Sequence, residues 1–253
     1  MSDDNGTVNL HVENGVGTVS FFHPKKNSLP GDILRSIAST ITAAGAHADV
    51  RVVVLRSEGS GPFCAGASFD ELLAVTDVEQ GHRFFMGFAQ VILAIRECPK
   101  FVIARVQGKA VGGGVGLVAA SDYALAVQGA SIRLSEFALG FGPFVIGPAV
   151  QRRIGQTAFS TASIDADWRD AAWAAHHGLY TRVVDDAAAL DTAVNELAAQ
   201  LAASNPQAVA ELKQIFQQGT DDWPRLLSER AGISAKLVLT DFVQATITAI
   251  KAK

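Results

Sequence analysis

The chain has 253 residues and a formal net charge of −4, with 18% charged and 49% hydrophobic residues. Average globular proteins carry about 25% charged residues, and a chain this apolar buries too much surface to remain disordered. The acidic balance, with a pI near 5.8, excludes a nucleic-acid binder that works by bulk positive charge. The shortage of charge predicts that further copies of the chain cover part of the surface.

The first 150 residues alternate between strand and helix patterns. The Asn14-Gly15 pair between two apolar runs predicts a hairpin. In chain order, the pattern then predicts a helix from Pro30, a strand over 50–55, a helix from the Asp77 cap to about Arg96, and strands over 101–106, 123–127 and 131–134. This alternation is typical of an α/β fold with a parallel sheet and crossover helices.

The character of the chain changes after Arg152. Three helices are predicted, over 187–203, over 206–218 with Asn205 as the cap, and over 223–253. The last carries a long apolar stripe, which we expect to pack on the body or on another subunit. We therefore divide the chain into an α/β core, 1–195, and a C-terminal helical region, 196–253.

The cysteine count and the apolar segments indicate the compartment. Cys64 and Cys98 are too few for a disulfide framework and favour a reducing environment. The acidic, polar start does not resemble a signal peptide, and no apolar run approaches the ~20 residues that cross a bilayer. We expect a cytoplasmic protein with neither a membrane nor a nucleic-acid partner.

Two small-residue turns follow predicted strands. The run Gly112–Gly116 lacks the last glycine of a dinucleotide fingerprint and the lysine of a phosphate loop. It leaves backbone N–H groups free at a helix start, as does the turn over 63–70. Two such turns at neighbouring strand ends can point two donors at one oxygen, as in an oxyanion hole. The alternatives are a tight packing turn and a surface loop.

Glu136 lies in an apolar segment, where burial would raise its pKa and suit it to general-base work. The alternative is a solvated loop carboxylate. The six histidines show no metal-ligand spacing, so we expect no metal site. Cys64 is interpreted as a packing residue.

Taken together, these segments resemble the crotonase superfamily, the enoyl-CoA hydratase/isomerase family, over nearly the whole chain. The matching pieces, in order, are Phe63-Cys64-Ala65-Gly66-Ala67-Ser68, Gly108-Lys109-Ala110-Val111-Gly112-Gly113-Gly114, Ser121-Asp122-Tyr123 and Leu134-Ser135-Glu136-Phe137-Ala138-Leu139-Gly140. The resemblance implies a spiral of β-β-α units (the ClpP/crotonase fold) followed by a C-terminal helical trimerisation region. It also implies an acyl-CoA thioester substrate, coenzyme A entering only as part of that substrate, and a homotrimer or a homohexamer built as a dimer of trimers.

The resemblance also assigns site residues. It implies that Glu136 is catalytic and that Ala67 and Gly113 supply the oxyanion-hole N–H groups. The residues that it places along the substrate and coenzyme A are Lys25, Lys26, Ala65, Gly66, Ser68, Phe69, Asp70, Gly112, Gly116 and Phe144.

The departures from the family pattern direct the functional prediction. Hydratases of the family carry a second glutamate where this chain has Gly116, and position 68 is Ser where Asp is common. One remaining acid favours an isomerase that moves a 3-enoyl-CoA double bond to the 2-position. The alternatives are a hydratase, for example on a branched substrate such as methylglutaconyl-CoA, a thioester hydrolase or decarboxylase, and a catalytically decayed acyl-CoA-binding protein.

Overall fold

The N-terminal hairpin forms one edge of the large sheet. The computed structural model describes residues 6–252, and in it Thr7–Glu13 pairs antiparallel with Val16–Phe22. Asn14 and Gly15 both have positive φ, 49° and 81°, as the favoured hairpin turns require. The predicted hairpin is confirmed.

The strands form one large and two small sheets. In chain order they are β1 (Thr7–Glu13), β2 (Val16–Phe22), β3 (Ser28–Leu29), β4 (Val52–Ser57), β5 (Gly66–Ala67), β6 (Val102–Val106), β7 (Ala110–Val111), β8 (Tyr123–Val127), β9 (Ile132–Arg133) and β10 (Arg182–Val184). The large sheet has the order β1-β2-β4-β6-β8-β10 and is parallel from β2 onward. Its central strands are buried β-branched runs, as expected for a sheet covered on both faces.

The helices cover this sheet and form the C-terminal part. They are α1 (Gly31–Ala46), α2 (Phe69–Ala74), α3 (Val78–Glu97), α4 (Gly113–Ala120), α5 (Gly147–Asp165), α6 (Ala171–His176), α7 (Ala187–Ala202), α8 (Pro206–Phe216), α9 (Trp223–Val238) and α10 (Asp241–Lys251). Asp77 and Asn205 cap α3 and α8 through their side chains, as predicted.

The short strands make the β-β-α repeat visible. β3 pairs with β5, β7 pairs with β9, and an isolated bridge between Cys64 and Ala110 joins the two pairs. Each long strand from β2 to β8 is therefore followed by a short strand in this second layer and then by a helix. The predicted α/β spiral with a C-terminal helical region is confirmed.

The C-terminal prediction of one helix over 223–253 is wrong. The helix ends after Val238, and α10 turns away from α9 by 77° after the extended Thr240. The bend lets Val243 and Ile247 become fully buried against the body. The free energy gained by burying Val243 and Ile247 exceeds the cost of interrupting the helix between α9 and α10.

α5 and β10 are among the elements that the sequence did not predict. The left-handed Gly155 (φ 80°) interrupts α5, which breaks the apolar periodicity. β10 is only three residues long and half exposed, so no apolar run marks it. The proposed domain boundary at 195 falls inside α7, which Arg105 on β6 ties to the sheet through Asp191 at 2.6 and 3.0 Å.

Within residues 6–252, no single helix has the length and apolarity to cross a bilayer. α9 and α10 reach that composition only when they are taken together across their bend.

Candidate active site

The two small-residue turns lie against each other. Val111 donates its N–H to the carbonyl of Cys64 at 2.9 Å, and Cys64 donates to the carbonyl of Lys109 at 3.3 Å. A Cβ on Gly114 would lie 2.7 Å from the Cβ of Cys64, so only glycine permits this contact. Cys64 is fully buried, and burial raises the pKa of its thiol to about 12. These contacts make Cys64 a packing residue.

Ala67 and Gly113 line the same cavity. Ser28 donates its hydroxyl to the Ala67 carbonyl at 2.8 Å and holds the peptide chain of β5 in place. Gly113 is the first residue of α4, so its N–H has no acceptor within the helix. A Cβ on Gly113 would overlap the ring of Phe88, which glycine allows to pack against the turn. That both N–H groups hold one oxygen stays a prediction.

The small sheet positions Glu136 beside the second turn. Gly112 donates its N–H to the carbonyl of Arg133 at 2.8 Å, where β9 runs along β7. The carboxyl then lies over Gly112, where a Cβ would be 3.0 Å from Oε1 of Glu136. Gly112 has φ 52° and its Cα hydrogen faces the carboxyl, so both its conformation and the available space require glycine.

Glu136 has the electrostatics of a proton carrier. Its residue is 8% exposed, and burial raises the pKa of its carboxyl from 4.5 to about 7. Among the residues that the structure describes, no group hydrogen-bonds its buried Oε2, and no other lining residue is charged. A carboxyl with this pKa can both take and return a proton at neutral pH.

The cavity is strongly apolar. It opens to solvent at one end, and nearly all of its lining residues are apolar or glycine. Its side-chain walls come mainly from the stretches 84–92 and 137–146, which are rich in apolar residues; they include Phe85, Phe88, Leu139, Phe141, Pro143, Phe144, Val145 and Ile146. Such a cavity suits a hydrocarbon chain.

Sequence reasoning assigned no role to several lining residues, among them Leu72, Val111, Ser135 and Ser234. Ser234 lies on α9, which packs along α3 and so reaches the cavity from the far end of the chain. No local pattern marks such a residue, because only the packing of two helices brings it to the site.

The predicted substrate residues divide into two groups. Ala65, Gly66, Phe69, Gly112 and Phe144 line the cavity. The structure places Ser68 and Gly116 outside the lining. The Ser68 hydroxyl accepts from the Glu71 N–H at 3.3 Å and caps α2, whereas Gly116 is buried inside α4.

The predicted charged residues lie apart from the cavity. Lys25 and Lys251 both pair with Asp70, in the first turn of α2. The two hydrogen bonds from these lysines lower the pKa of the Asp70 carboxyl to about 2. Lys26 is exposed in a left-handed conformation, with φ 56°. Phe69 connects this cluster to the cavity lining, and contact of these residues with coenzyme A stays a prediction.

The described residues contain no cluster of side chains suited to a metal ion. No group of three or more His, Cys, Asp or Glu side chains within residues 6–252 is arranged to hold an ion.

Comparison with known proteins identifies the relatives of this chain. A (7aS)-7a-methyl-1,5-dioxo-2,3,5,6,7,7a-hexahydro-1H-indene-carboxyl-CoA hydrolase of Mycobacterium tuberculosis is 33% identical, over 80% of each chain. A short-chain-enoyl-CoA hydratase of Clostridium acetobutylicum is 30% identical, over 84% of this chain and 81% of that protein.

Solved structures share the fold. The crystal structure of an enoyl-CoA hydratase from Bacillus halodurans matches with a TM-score of 0.89, covering 96% of this chain and 99% of that one at 18% identity. A sequence model described as enoyl-CoA hydratase/isomerase matches residues 11–247. The chain therefore belongs to the enoyl-CoA hydratase/isomerase family, the crotonase superfamily.

Proposed function

We propose that this enzyme moves the double bond of a 3-enoyl-CoA thioester to the 2-position. The observation that carries the proposal is the single buried carboxyl of Glu136, in an apolar cavity that also holds the turns of Ala67 and Gly113. An isomerisation needs one group that takes a proton and returns it, and no second acid or base lines the described cavity.

The reaction balances without any co-reactant. Glu136 removes a proton from C2 of the substrate, and the electrons of that C–H bond spread over the thioester as a dienolate. The protonated Glu136 then delivers the same proton to C4, and the double bond settles between C2 and C3. Nothing is oxidised, reduced or released.

Two features lower the barrier to the first proton transfer. The N–H groups of Ala67 and Gly113 would hold the dienolate oxygen, and loss of one such donor typically costs about 2.7–4 kcal/mol. The raised pKa of Glu136, about 7, brings the base closer to the acidity of the thioester C2–H. Positioned acid–base catalysis of this kind typically accelerates a reaction by roughly 10²–10⁴-fold.

The test replaces the carboxyl with an amide of the same shape. Glu136→Gln is expected to lose at least about 10²-fold in kcat with 3-enoyl-CoA, with little change in acyl-CoA affinity. The conjugated product is followed by its ultraviolet absorbance, and binding by calorimetry. An amide variant that isomerises as fast as the wild type would contradict the proposal.

Hydration is the second candidate, because the relative from Clostridium acetobutylicum is named a short-chain-enoyl-CoA hydratase. In this case Glu136 would activate a water that adds to C3 of a 2-enoyl-CoA, and C2 would take the proton. Mass spectrometry of 2-enoyl-CoA incubated with the enzyme separates the candidates, since hydration adds the mass of one water and isomerisation adds none.

A hydrolytic reaction is favoured only by the name of the Mycobacterium tuberculosis relative. The same mass-spectrometric screen, run with a thiol reagent for free coenzyme A, detects thioester cleavage. Tight acyl-CoA binding without turnover of any thioester would indicate a binding protein instead of an enzyme.

A further inference from the structure

Ile146 fills the space above Gly116. A Cβ on Gly116 would overlap Cγ2 of Ile146 and lie 2.7 Å from its Cβ. Gly116 is buried, and Ile146 is only 3% exposed. Ile146 also lines the cavity. One branched side chain therefore occupies both the niche over α4 and part of the cavity wall.

Glu136 and Ile146, which fills this niche, line the same cavity. Gly112, which lies under the carboxyl, precedes Gly116 by four residues at the start of α4. Four residues of an α-helix rise about 6 Å. Glu136 therefore contacts the N-terminal end of α4, and Ile146 packs about one turn further along the same helix.

The surroundings of the niche are unsuited to a water molecule. A buried water needs two to four polar partners, whereas the niche presents isoleucine methyl groups and a glycine. Ser135 and Ser234 carry the only hydroxyls in the described lining, and Ser234 is already turned toward the Arg230 carbonyl, at 3.4 Å.

We infer that Ile146 determines the reaction type, by keeping water from the face of the Glu136 carboxyl that lies toward α4. The proton that Glu136 removes from C2 then reaches C4 without exchange, and no water adds to the product. This inference rests on the proposed isomerisation and deepens it.

The test truncates Ile146 and follows the proton. Unlabelled 3-enoyl-CoA is converted in D2O within a single turnover, and deuterium at C4 of the product is measured by mass spectrometry. We expect mostly protium with the wild type and several-fold more deuterium with Ile146→Ala, together with 3-hydroxyacyl-CoA from water addition. The milder Ile146→Val should shift both measurements in the same direction and guards against misfolding of the alanine variant.

Ile154→Ala is the matched control. Ile154 is also a buried isoleucine, 7% exposed, on the helix that follows Ile146, but it does not line the cavity. Its truncation should leave the deuterium content as in the wild type. If the deuterium content rose equally in Ile146→Ala and Ile154→Ala, the inference would be overturned, because a general loosening of the fold would then explain the exchange.

A second measurement needs no substrate. The infrared band of the protonated Glu136 carboxyl, assigned by its loss in Glu136→Gln, gives the pKa of this group in the free enzyme. We expect Ile146→Ala to lower this pKa from about 7 toward 4.5, since water would solvate the charged form. An unchanged pKa with unchanged deuterium content would overturn the inference. A lowered pKa in an enzyme that isomerises nothing would reject the proposed function and leave the water exclusion standing.

Discussion

The protonation of Glu136 predicts how activity depends on pH. The proton-abstracting form is the carboxylate, and burial raises the pKa of this group to about 7. We expect kcat/KM for 3-enoyl-CoA to rise with pH through a midpoint near 7 and then level off. A midpoint near the ordinary glutamate value of 4.5 would show that the carboxyl is solvated in the free enzyme.

The same residue predicts a pH-dependent cost in stability. Because burial raises the folded-state pKa, the folded protein holds this proton up to about pH 7, whereas the unfolded chain releases it near 4.5. Stability from the protonated form is complete below pH 4.5 and is lost as the pH rises through 7. The difference between the folded and unfolded pKa values corresponds to a loss of about 3 kcal/mol in the free energy of unfolding.

Glu136→Gln does not titrate and should escape this loss. We expect its free energy of unfolding, relative to the wild type, to rise by about 3 kcal/mol between pH 4.5 and pH 8. Urea unfolding at one fixed protein concentration measures the difference. A difference that stays constant over this range would contradict the burial of a neutral acid.

Gly116 and Ile146 should be coupled in stability. The Cβ of Gly116→Ala would collide with Ile146, and such overpacking costs typically 1–3 kcal/mol. In an Ile146→Ala background that cost should largely vanish, giving a coupling of about 0.5–3 kcal/mol in a double-mutant cycle. Strictly additive costs would mean that the two side chains do not compete for the same space.

At the scale of elements, a buried ion pair attaches α8 to the large sheet. Lys213, 2% exposed, donates to Oδ2 of Asp122 at 2.7 Å and to the carbonyl of Lys100 at 2.8 Å. Oδ2 of Asp122 also accepts the N–H of Val102 at 2.7 Å, at the start of β6. Removal of the cation would leave a nearly buried carboxylate without its counter-charge.

Lys213→Met should therefore destabilise the protein by about 3–5 kcal/mol. Arg225→Ala, which breaks an exposed pair with Glu229, should cost at most about 1 kcal/mol. Urea denaturation compares the two variants with the wild type. Equal small effects would show that the Lys213 pair contributes no more than a surface contact.

At the scale of the whole molecule, the shortage of charge predicts self-association. Several large apolar side chains remain on the surface of the single chain, including Phe137, Ile164, Trp168, Ile233, Phe242 and Ile250. The last three lie on α9 and α10, whereas Val243 and Ile247 on α10 are buried within the chain. Where such side chains form a contiguous patch, they are typical of subunit interfaces.

We predict that the protein assembles in multiples of three, as the family resemblance implies, through the C-terminal helices and the Trp168–Trp173 region. Light scattering of the purified protein measures the mass directly. A mass of 26.6 kDa at all accessible concentrations would contradict the prediction.

Local sequence signals predicted most of the fold. The Asn14-Gly15 turn and the Asp77 and Asn205 caps each act within a few residues, so their effects are visible without the rest of the chain. The break between α9 and α10 was not predicted, because burial of Val243 and Ile247 against distant elements determines it. The place of Ser234 in the cavity lining was not predicted either, because it depends on the packing of α9 against α3.

The sequence by itself determined the family, the two glycine turns and the single glutamate, because glycines and charged residues at fixed spacing impose local chemistry. Only the tertiary structure decided that Glu136 is buried without a charged partner and that Ile146 fills the niche over Gly116. Burial and excluded volume depend on residues that are distant along the chain. They exist only once the sheets and helices have packed.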